Sequence, residues 1–395
     1  VVGFGAGGAS AAYHLARGGA KVGLAEEAGH SRHRSIAGAV TPLAQDCLEG
    51  MGLAGWLSRY PICRHVTLFG PRGSEVHVEA APRARMAAFV PPAAMEAELC
   101  EVAAGAGVKL FPGSGVTSVR VADDGAAVEA RHDVPRAQLL VLAEGPAAPL
   151  ATRLGLVRRP PDVVVAQAGF ELAADGAAEF HYLPEVLPSV AWAVPSGPHL
   201  ASVLVSARAD EAVIRDIDLP GLLAKLAGGA AYGGRLRGSK PAGVMARTGV
   251  RARLDSVVPY GERVLLAGEA AGIAHPLTLE TLGTAMESGR IAAQHALYAL
   301  EKGRFSAPDL AAYAKALRRR FGLEYQAAAL IWELLRSERV LERIVGRAQR
   351  DGNYAAMIAG VFLGTQSVLG TITPANLSRY LMWWRRPSRL LRRQR

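Results

Sequence analysis

The sequence predicts an α/β protein: a Rossmann-like dinucleotide-binding domain, an antiparallel-sheet domain inserted into it, and a helical C-terminal region. Three observations carry this. The chain opens on VVGFGAGG, residues 163–206 read as strands separated by Gly/Pro turns, and from Gly289 to about Asp351 nearly every segment has helical spacing.

In the opening, Gly3, Gly5 and Gly8 form G-x-G-x-x-G after an apolar start. Helical spacing follows from Ala9 to Arg17, then Val22 and Leu24 alternate as a strand that ends on Glu26. This is the strand, turn, helix, strand, acid order of a dinucleotide site. Gly3 permits the tight turn, Gly5 lets a pyrophosphate approach the backbone, and Gly8 lets helix and strand pack closely. The helix N-terminus offers N–H groups to phosphate, and the Glu26 carboxylate can accept from ribose hydroxyls. An acid here selects a ribose with free hydroxyls, hence FAD or NAD rather than NADP. Because the first residues already read as the end of a strand, and no leader is visible, residues are expected to precede Val1.

Further along, 94–106 has helical spacing, and strands are expected at 116–121 and 127–130. QLLVLAEGPAAPLATRLGL, residues 138–156, is an apolar strand broken by Glu144-Gly145 and followed by a helix. VVVAQAGFEL, PSVAWAVPS and LASVLVSA then alternate as an antiparallel sheet. Residues 209–228 read as helical, and the glycine-rich stretch 228–238 follows a helix, so it reads as a loop and not as a second nucleotide site. LLAGEAAGIAHPLTLETLGTAM, residues 265–286, runs from a strand through a Gly/Ala turn into a helix. The stretch 328–345 places Ile331, Leu334, Leu335, Leu341, Ile344 and Val345 on one face of a single helix, expected to pack on the body. Residues 354–370 are apolar but short and glycine-interrupted, which fits a docked helix pair and not a membrane span.

At 395 residues the chain can form two or three packed units, and its 50% apolar, 20% charged composition is that of a folded soluble or peripheral protein. Cys47, Cys63 and Cys100 show no metal-ligand spacing, so no metal site and a reducing, cytoplasmic setting are expected. The net charge of +10 is concentrated at the end, where Arg379, Arg385, Arg386, Arg389, Arg392, Arg393 and Arg395 follow or flank Tyr380, Trp383 and Trp384. Aromatic residues mixed with Arg suit the anionic inner face of a membrane better than a nucleic acid.

Three motifs in one order, Gly3/Gly5/Gly8…Glu26, LAEGPAAPLATRLGL and LLAGEAAGIAHPLT, resemble the FAD-dependent oxidoreductases with the para-hydroxybenzoate hydroxylase-like fold, and specifically the geranylgeranyl reductase family. PSVAWAVPSG is similar to that family's Trp-x-Phe-Pro segment, with Trp192 and Pro195 matching and Val194 in the Phe place. The resemblance implies FAD with its pyrophosphate over Gly3, Gly5 and Gly8 and its ribose on Glu26. Glu144, Gly145, Gly268, Glu269, Ala270, Gly272 and Pro276 would complete the cofactor site. Tyr182 and Trp192 would line a tunnel for a prenyl lipid or other apolar small molecule. Isolated C=C bonds would be saturated by hydride from reduced flavin plus a proton, for which Glu280 and His275 are the candidate catalytic residues. No second dinucleotide fingerprint is present, so NAD(P)H binding transiently, or a ferredoxin, would donate electrons. Two further readings stay open: a flavin monooxygenase acting on a small aromatic or polyketide-like substrate, and a flavin-fold protein that binds lipid or nucleotide without turnover. The family's Pro-x-x-Gly-x-Gly loop reads here Pro276 to Thr281, with Leu279 and Thr281 in the glycine places; an early family Cys falls at Ala37, and an Arg at Pro92. The domain boundaries expected are 1–65, 86–160 and 250–300 for the FAD-binding domain, 66–85 and 161–249 for the sheet domain, 301–378 for the helices and 379–395 for the basic tail.

Overall fold

The computed structural model describes residues 1–27, 39–79, 85–132, 134–172, 176–197, 199–228, 236 and 238–372. The Arg-rich tail, Ala37 and most of the glycine-rich stretch after Gly228 lie outside them.

A parallel sheet forms the heart of the first domain. Lys109–Phe111 pairs with Gly23–Ala25, Val2 bridges both Ala25 and Leu142, and Leu140–Leu142 pairs with Val264–Leu266. All of these pairings are parallel, and Tyr260–Gly261 closes the edge antiparallel. Leu140, Val141, Leu142, Val264, Leu265 and Leu266 are all buried, as strands covered on both faces must be. Helix Ala6–Arg17 covers this sheet beside the 21-residue helix Leu282–Lys302, which stops at Gly303 in a left-handed conformation, φ 63°.

These two helices touch through glycine. A Cβ on Gly289 would lie 2.2 Å from the carbonyl oxygen of Gly7, and one on Gly7 would lie 2.7 Å from the Cα and N of Gly268. Backbone meets backbone there, and no flexible side chain is available to move aside.

The second domain is a seven-stranded sheet in the order 241–250, 163–171, 200–208, 191–197, 177–181, 65–69, 75–79. It is not antiparallel throughout, since Ala177–His181 runs parallel to His65–Phe69. These two strands come from separate insertions into the first domain, so no hairpin fixes their relative direction. One face carries Leu68, Phe180, Tyr182 and Trp192; these residues share a core cluster with Tyr354, Ala355 and Phe362 of the C-terminal helices. The opposite face packs on helix Leu219–Gly228 through Leu222, Leu223 and Leu226.

The C-terminal helices are Ala307–Leu334, Glu338–Ala348, Gly352–Phe362 and Val368–Thr371. The first starts on a capping box in which Ser306 and Asp309 exchange hydrogen bonds. The stretch 328–345 is not one helix: it breaks after Leu334 and restarts behind Ser337, which leaves Leu334 57% exposed while Leu335 and Leu341 are buried. A single periodicity spanned the break because the turn adds residues without changing which side is apolar. Among the described residues, no helix is long and apolar enough to cross a membrane.

Replacing a helical Gly by Ala ordinarily stabilises a helix by about 1 kcal/mol. At Gly289 the clash with the Gly7 carbonyl reverses the sign, so Gly289→Ala should lower the urea unfolding free energy by about 1–3 kcal/mol. Unchanged or raised stability would show that the two helices can separate without cost.

Candidate active site

Three turns, each at the C-terminal end of a parallel strand, converge at the glycine contact. The first is the glycine loop. Gly3 has φ 97°, and a Cβ there would lie 2.3 Å from the Ala143 carbonyl oxygen; a Cβ on Gly8 would lie 1.9 Å from the Gly3 carbonyl oxygen. A Cβ on Gly5 would meet nothing within 4 Å. Gly3 and Gly8 are therefore needed for packing, whereas Gly5 borders open space. Gly5 is the N-cap of helix Ala6–Arg17, and no side chain caps that end. The Glu26 carboxylate reaches across and accepts hydrogen bonds from Phe4 N at 2.6 Å and Glu27 N at 2.8 Å. It borders a small crevice walled by Phe4, Leu24, Cys100, Phe111 and Pro112.

At the second turn, Gly145 has φ 79°, and both Glu144 oxygens are engaged, accepting from Leu150 N at 2.8 Å and Ala151 N at 2.7 Å. Glu144 thus caps the short helix behind the turn. Burial outweighs those N–H groups and raises its carboxyl above the usual range. What this turn presents to the glycine loop is backbone, through Ala143 against Gly3.

The third turn carries the strongest signal for a ligand. Gly268 and Gly272 adopt φ 64° and 69°, the Gly268 N–H donates to Ser288 Oγ at 2.8 Å, and Ala270 and Pro276 are buried. Between them Glu269 holds Oε1 shut from solvent without a hydrogen-bond partner, and desolvation pushes its carboxyl up to about 7. A buried carboxylate oxygen normally has a donor. A ribityl or ribose hydroxyl would supply one.

FAD fits this set on observations of this structure. There is an open position over Gly5 at a helix N-terminus for the pyrophosphate, an acid beside a crevice for the adenosine end, and an orphaned buried acceptor at Glu269. Together these select a polyhydroxylated dinucleotide.

Beyond this turn the chain passes His275 and Pro276 and enters helix Leu282–Lys302. His275 Nδ1 is offered the N–H groups of Leu277 and Thr278, both at 3.3 Å, and lies 3.2 Å from Thr278 Oγ1. Acting as acceptor there, it leaves the proton on Nε2, which faces Glu324 Oε1 at 3.5 Å. Burial pushes the Glu324 carboxyl up, but His275 and the N–H groups of Val368 and Leu369 outweigh it and hold the group below its ordinary value. His275 is therefore occupied in shaping the loop.

Glu280 accepts from Gly283 N at 2.6 Å and from the Thr41 hydroxyl at 3.4 Å; desolvation outweighs both bonds and raises its carboxyl. Leu279 stands at φ 56°, the left-handed conformation a glycine would take without cost, with its side chain buried beside Leu277. Thr281, at φ −128°, lies outside that region, so its Cβ carries no such cost. Leu277 and Leu279 belong to the same core cluster as Phe180, Tyr182, Trp192 and Phe362. The Phe180 and Phe362 rings stand 4.5 Å apart, and Tyr182 meets Phe362 edge-on at 6.3 Å. Tyr182 and Trp192 thus belong to the same core cluster as the loop, and both are buried.

Several contributors had no signal in the reading of the chain. Gly7 and Gly289 set the helix approach, Ser288 holds Gly268, Thr41 reaches Glu280, and Glu324 holds His275. All depend on contacts between positions distant in sequence.

No family model matches the chain. Among curated proteins, 216 residues are 30% identical to digeranylgeranylglycerophospholipid reductase 1 of Methanopyrus kandleri, covering 52% of this chain and about half (54%) of that relative's length. Over 318 residues, 74% of this chain and 75% of the relative, it is 29% identical to menaquinone reductase of Mycolicibacterium smegmatis. Among solved structures, a geranylgeranyl bacteriochlorophyll reductase-like protein of Thermoplasma acidophilum superposes with a TM-score of 0.79 at 18% identity, covering 97% of both chains. A variant of halogenase PltM in complex with FAD gives 0.69 at 16% identity, covering 96% of this chain and 89% of that one. The fold is that of its FAD-dependent oxidoreductase neighbours. The chain is similar to both reductases, spanning about half the length of the first and three quarters of the second.

Glu269 supplies a test that needs no turnover. Its folded value near 7 lies above the ordinary 4.5, so its contribution to stability is fully present below about pH 4.5 and is lost as pH rises through 7. The flavin-free protein should lose roughly 3 kcal/mol more than its Glu269→Gln variant between those pH values. Identical pH profiles in urea titrations would place the Glu269 carboxylate in water or against an unseen donor.

Proposed function

We propose that the protein is an FAD-dependent reductase that saturates isolated C=C bonds in a prenyl lipid or prenylquinone chain. The observation that carries this is an apolar cluster: Leu277 and Leu279 of the loop beyond Glu269 share it with Phe180, Tyr182, Trp192 and Phe362, and Glu280 follows Leu279 in the chain. Both curated relatives are named as reductases, and both names contain a prenyl-bearing compound. When bound, reduced flavin supplies a hydride; that hydride and one proton must add across the double bond, one to each carbon, and an isolated alkene accepts hydride only as it is protonated.

The chain's part is to bind, exclude water and deliver that proton. Apolar walls exclude water and orient a hydrocarbon by shape. Glu280 is the proton donor in this reading, because desolvation keeps its carboxyl protonated at higher pH than usual while Gly283 N–H and the Thr41 hydroxyl fix its direction. His275 acts through the loop, its ring nitrogens being engaged with Thr278 and Glu324. NAD(P)H or a ferredoxin would reload the flavin, and stopped-flow bleaching with each donor distinguishes them. A monooxygenase would share the fold, but of these six residues four are hydrocarbon, and the Tyr182 phenol and Trp192 indole N–H are the groups that could orient an aromatic hydroxyl.

Anaerobic incubation of the photoreduced holoprotein with a polyprenyl lipid extract should yield products heavier by two hydrogens per bond. Products that form only with oxygen and gain one oxygen atom would establish the monooxygenase reading, and protein that stays colourless after soaking in FAD would remove both. Glu280→Gln keeps the acceptor for Gly283 N–H, so flavin content should be unchanged while turnover falls about 10²–10⁴-fold. Wild-type turnover should decline as pH rises through the raised Glu280 value, a decline absent from the variant.

A further inference from the structure

We propose that the C-terminal half of helix Ala307–Leu334, with the helix ends beside it, is a docking face for an anionic lipid bilayer. Leu323 and Leu330 are 70% and 68% exposed, and Leu334 is 57% exposed. At 100° per residue these three positions fall within about 40° of arc, so they form one stripe. Their helix has no need of an apolar outer face, because its inner face already buries Phe321, Tyr325, Ala327 and Ala328.

The stripe continues at both ends. Glu324 accepts from the N–H groups of Val368 and Leu369 at 2.6 and 3.0 Å, which seats the short helix Val368–Thr371 beside Leu323 and leaves Leu369 45% and Ile372 38% exposed. At the other end Arg208 bonds Glu333 at 2.7 Å, and Arg336 bonds Glu211. These pairs hold helix Ala209–Ile214 against the end of the stripe, where Val213 and Ile214 are each 81% exposed. Exposed apolar residues scattered singly mean little; gathered on one stripe and on two helix ends hydrogen-bonded beside it, they mark a contact surface.

Charge decides what the contact is with. The acids bordering the stripe are compensated: Glu333 by Arg208 and Arg336, Glu211 by Arg208, Arg215 and Arg336, and Asp210 by Arg208. Arg319 lies one turn before Leu323 on the same side, with Lys315 and Arg318 exposed near it. Immediately after Ile372, residues 373–395 contain seven Arg, two Trp and no Asp or Glu. An apolar stripe with cations beside it, followed in the sequence by an Arg- and Trp-rich stretch, matches a surface with acyl chains beneath anionic head groups. The opposite side of the same helix packs on the apolar cluster of Leu277 and Leu279, one helix thickness away.

The test is flotation of the full chain, FAD-loaded, with phosphatidylglycerol-containing and with pure phosphatidylcholine vesicles. Two variants, Leu323→Glu/Leu330→Glu and Val213→Glu/Ile214→Glu, alter only exposed positions and leave residues 373–395 intact; circular dichroism and flavin content serve as fold controls. The wild type should float with the anionic vesicles and not the neutral ones, and each variant should lose about tenfold in partitioning. Variants that float like the wild type, or a wild type that does not float, would overturn the proposal. So would variants that turn a dimer into monomers without changing flotation, since the stripe would then join two copies. Flotation requires no turnover, so this result is independent of whether the prenyl reductase reading holds.

Discussion

Everything in the site depends on two helices approaching until backbone touches backbone. A Cβ on Gly7 would collide with Gly268, and one on Gly289 would collide with Gly7. One helix begins at the open position over Gly5; the other carries the loop from His275 to Thr281 on its N-terminal end. Their approach converts a phosphate-type cradle near residue 5 and a turn near residue 269 into one site. Ser10 Oγ on Met286 O at 2.7 Å and Ser288 Oγ on Gly268 N at 2.8 Å fasten the same seam with small side chains. Any larger residue there would move the two turns apart.

Against that rigid seam, the loop beyond Pro276 holds strain. A non-glycine residue in the left-handed region costs of order 1–3 kcal/mol. Leu279 bears that cost in return for burying its side chain with Leu277 and the sheet-domain aromatics. A glycine would relax the backbone and leave a gap in the apolar wall. Two carboxyls, Glu269 and Glu280, flank this segment, both raised by desolvation and with different surroundings: Glu269 has an oxygen with no donor, whereas Glu280 is held by Gly283 and Thr41. Their difference in hydrogen bonding distinguishes a carboxyl with an unpaired buried oxygen from one whose direction is fixed.

The glycine fingerprint, the acid at the strand end and the strand-turn at Gly268 were legible because each is local: the backbone conformation demanded there is written into one or two residue types. The sheet domain was legible from alternation, though not its single parallel pairing, because Ala177–His181 and His65–Phe69 meet only after two excursions from the first domain. The break at Ser337 escaped because both halves of 328–345 keep one apolar side. At the site, types and positions could be read, while roles could not. Glu144 turned out to cap a helix, and His275 to brace a loop through Glu324, a residue 49 positions away with no motif around it. Hydrogen-bond partners of that kind are set by packing between helices, which periodicity does not encode.

The parallel sheet has a consequence for how the chain acquires its fold. Val2 lies in the middle, bridged to Ala25 on one side and Leu142 on the other, with Val264–Leu266 beyond. The strand at Val2 therefore cannot gain its neighbours on that side until residues 140–142 and then 264–266 have been made. Contacts of such long sequence separation close slowly, and the unpaired strand edges remain open in the meantime. A protein wired in this way emerges from the ribosome as an unclosed half-sheet, and its vulnerable period is the interval between synthesis of residues 142 and 266.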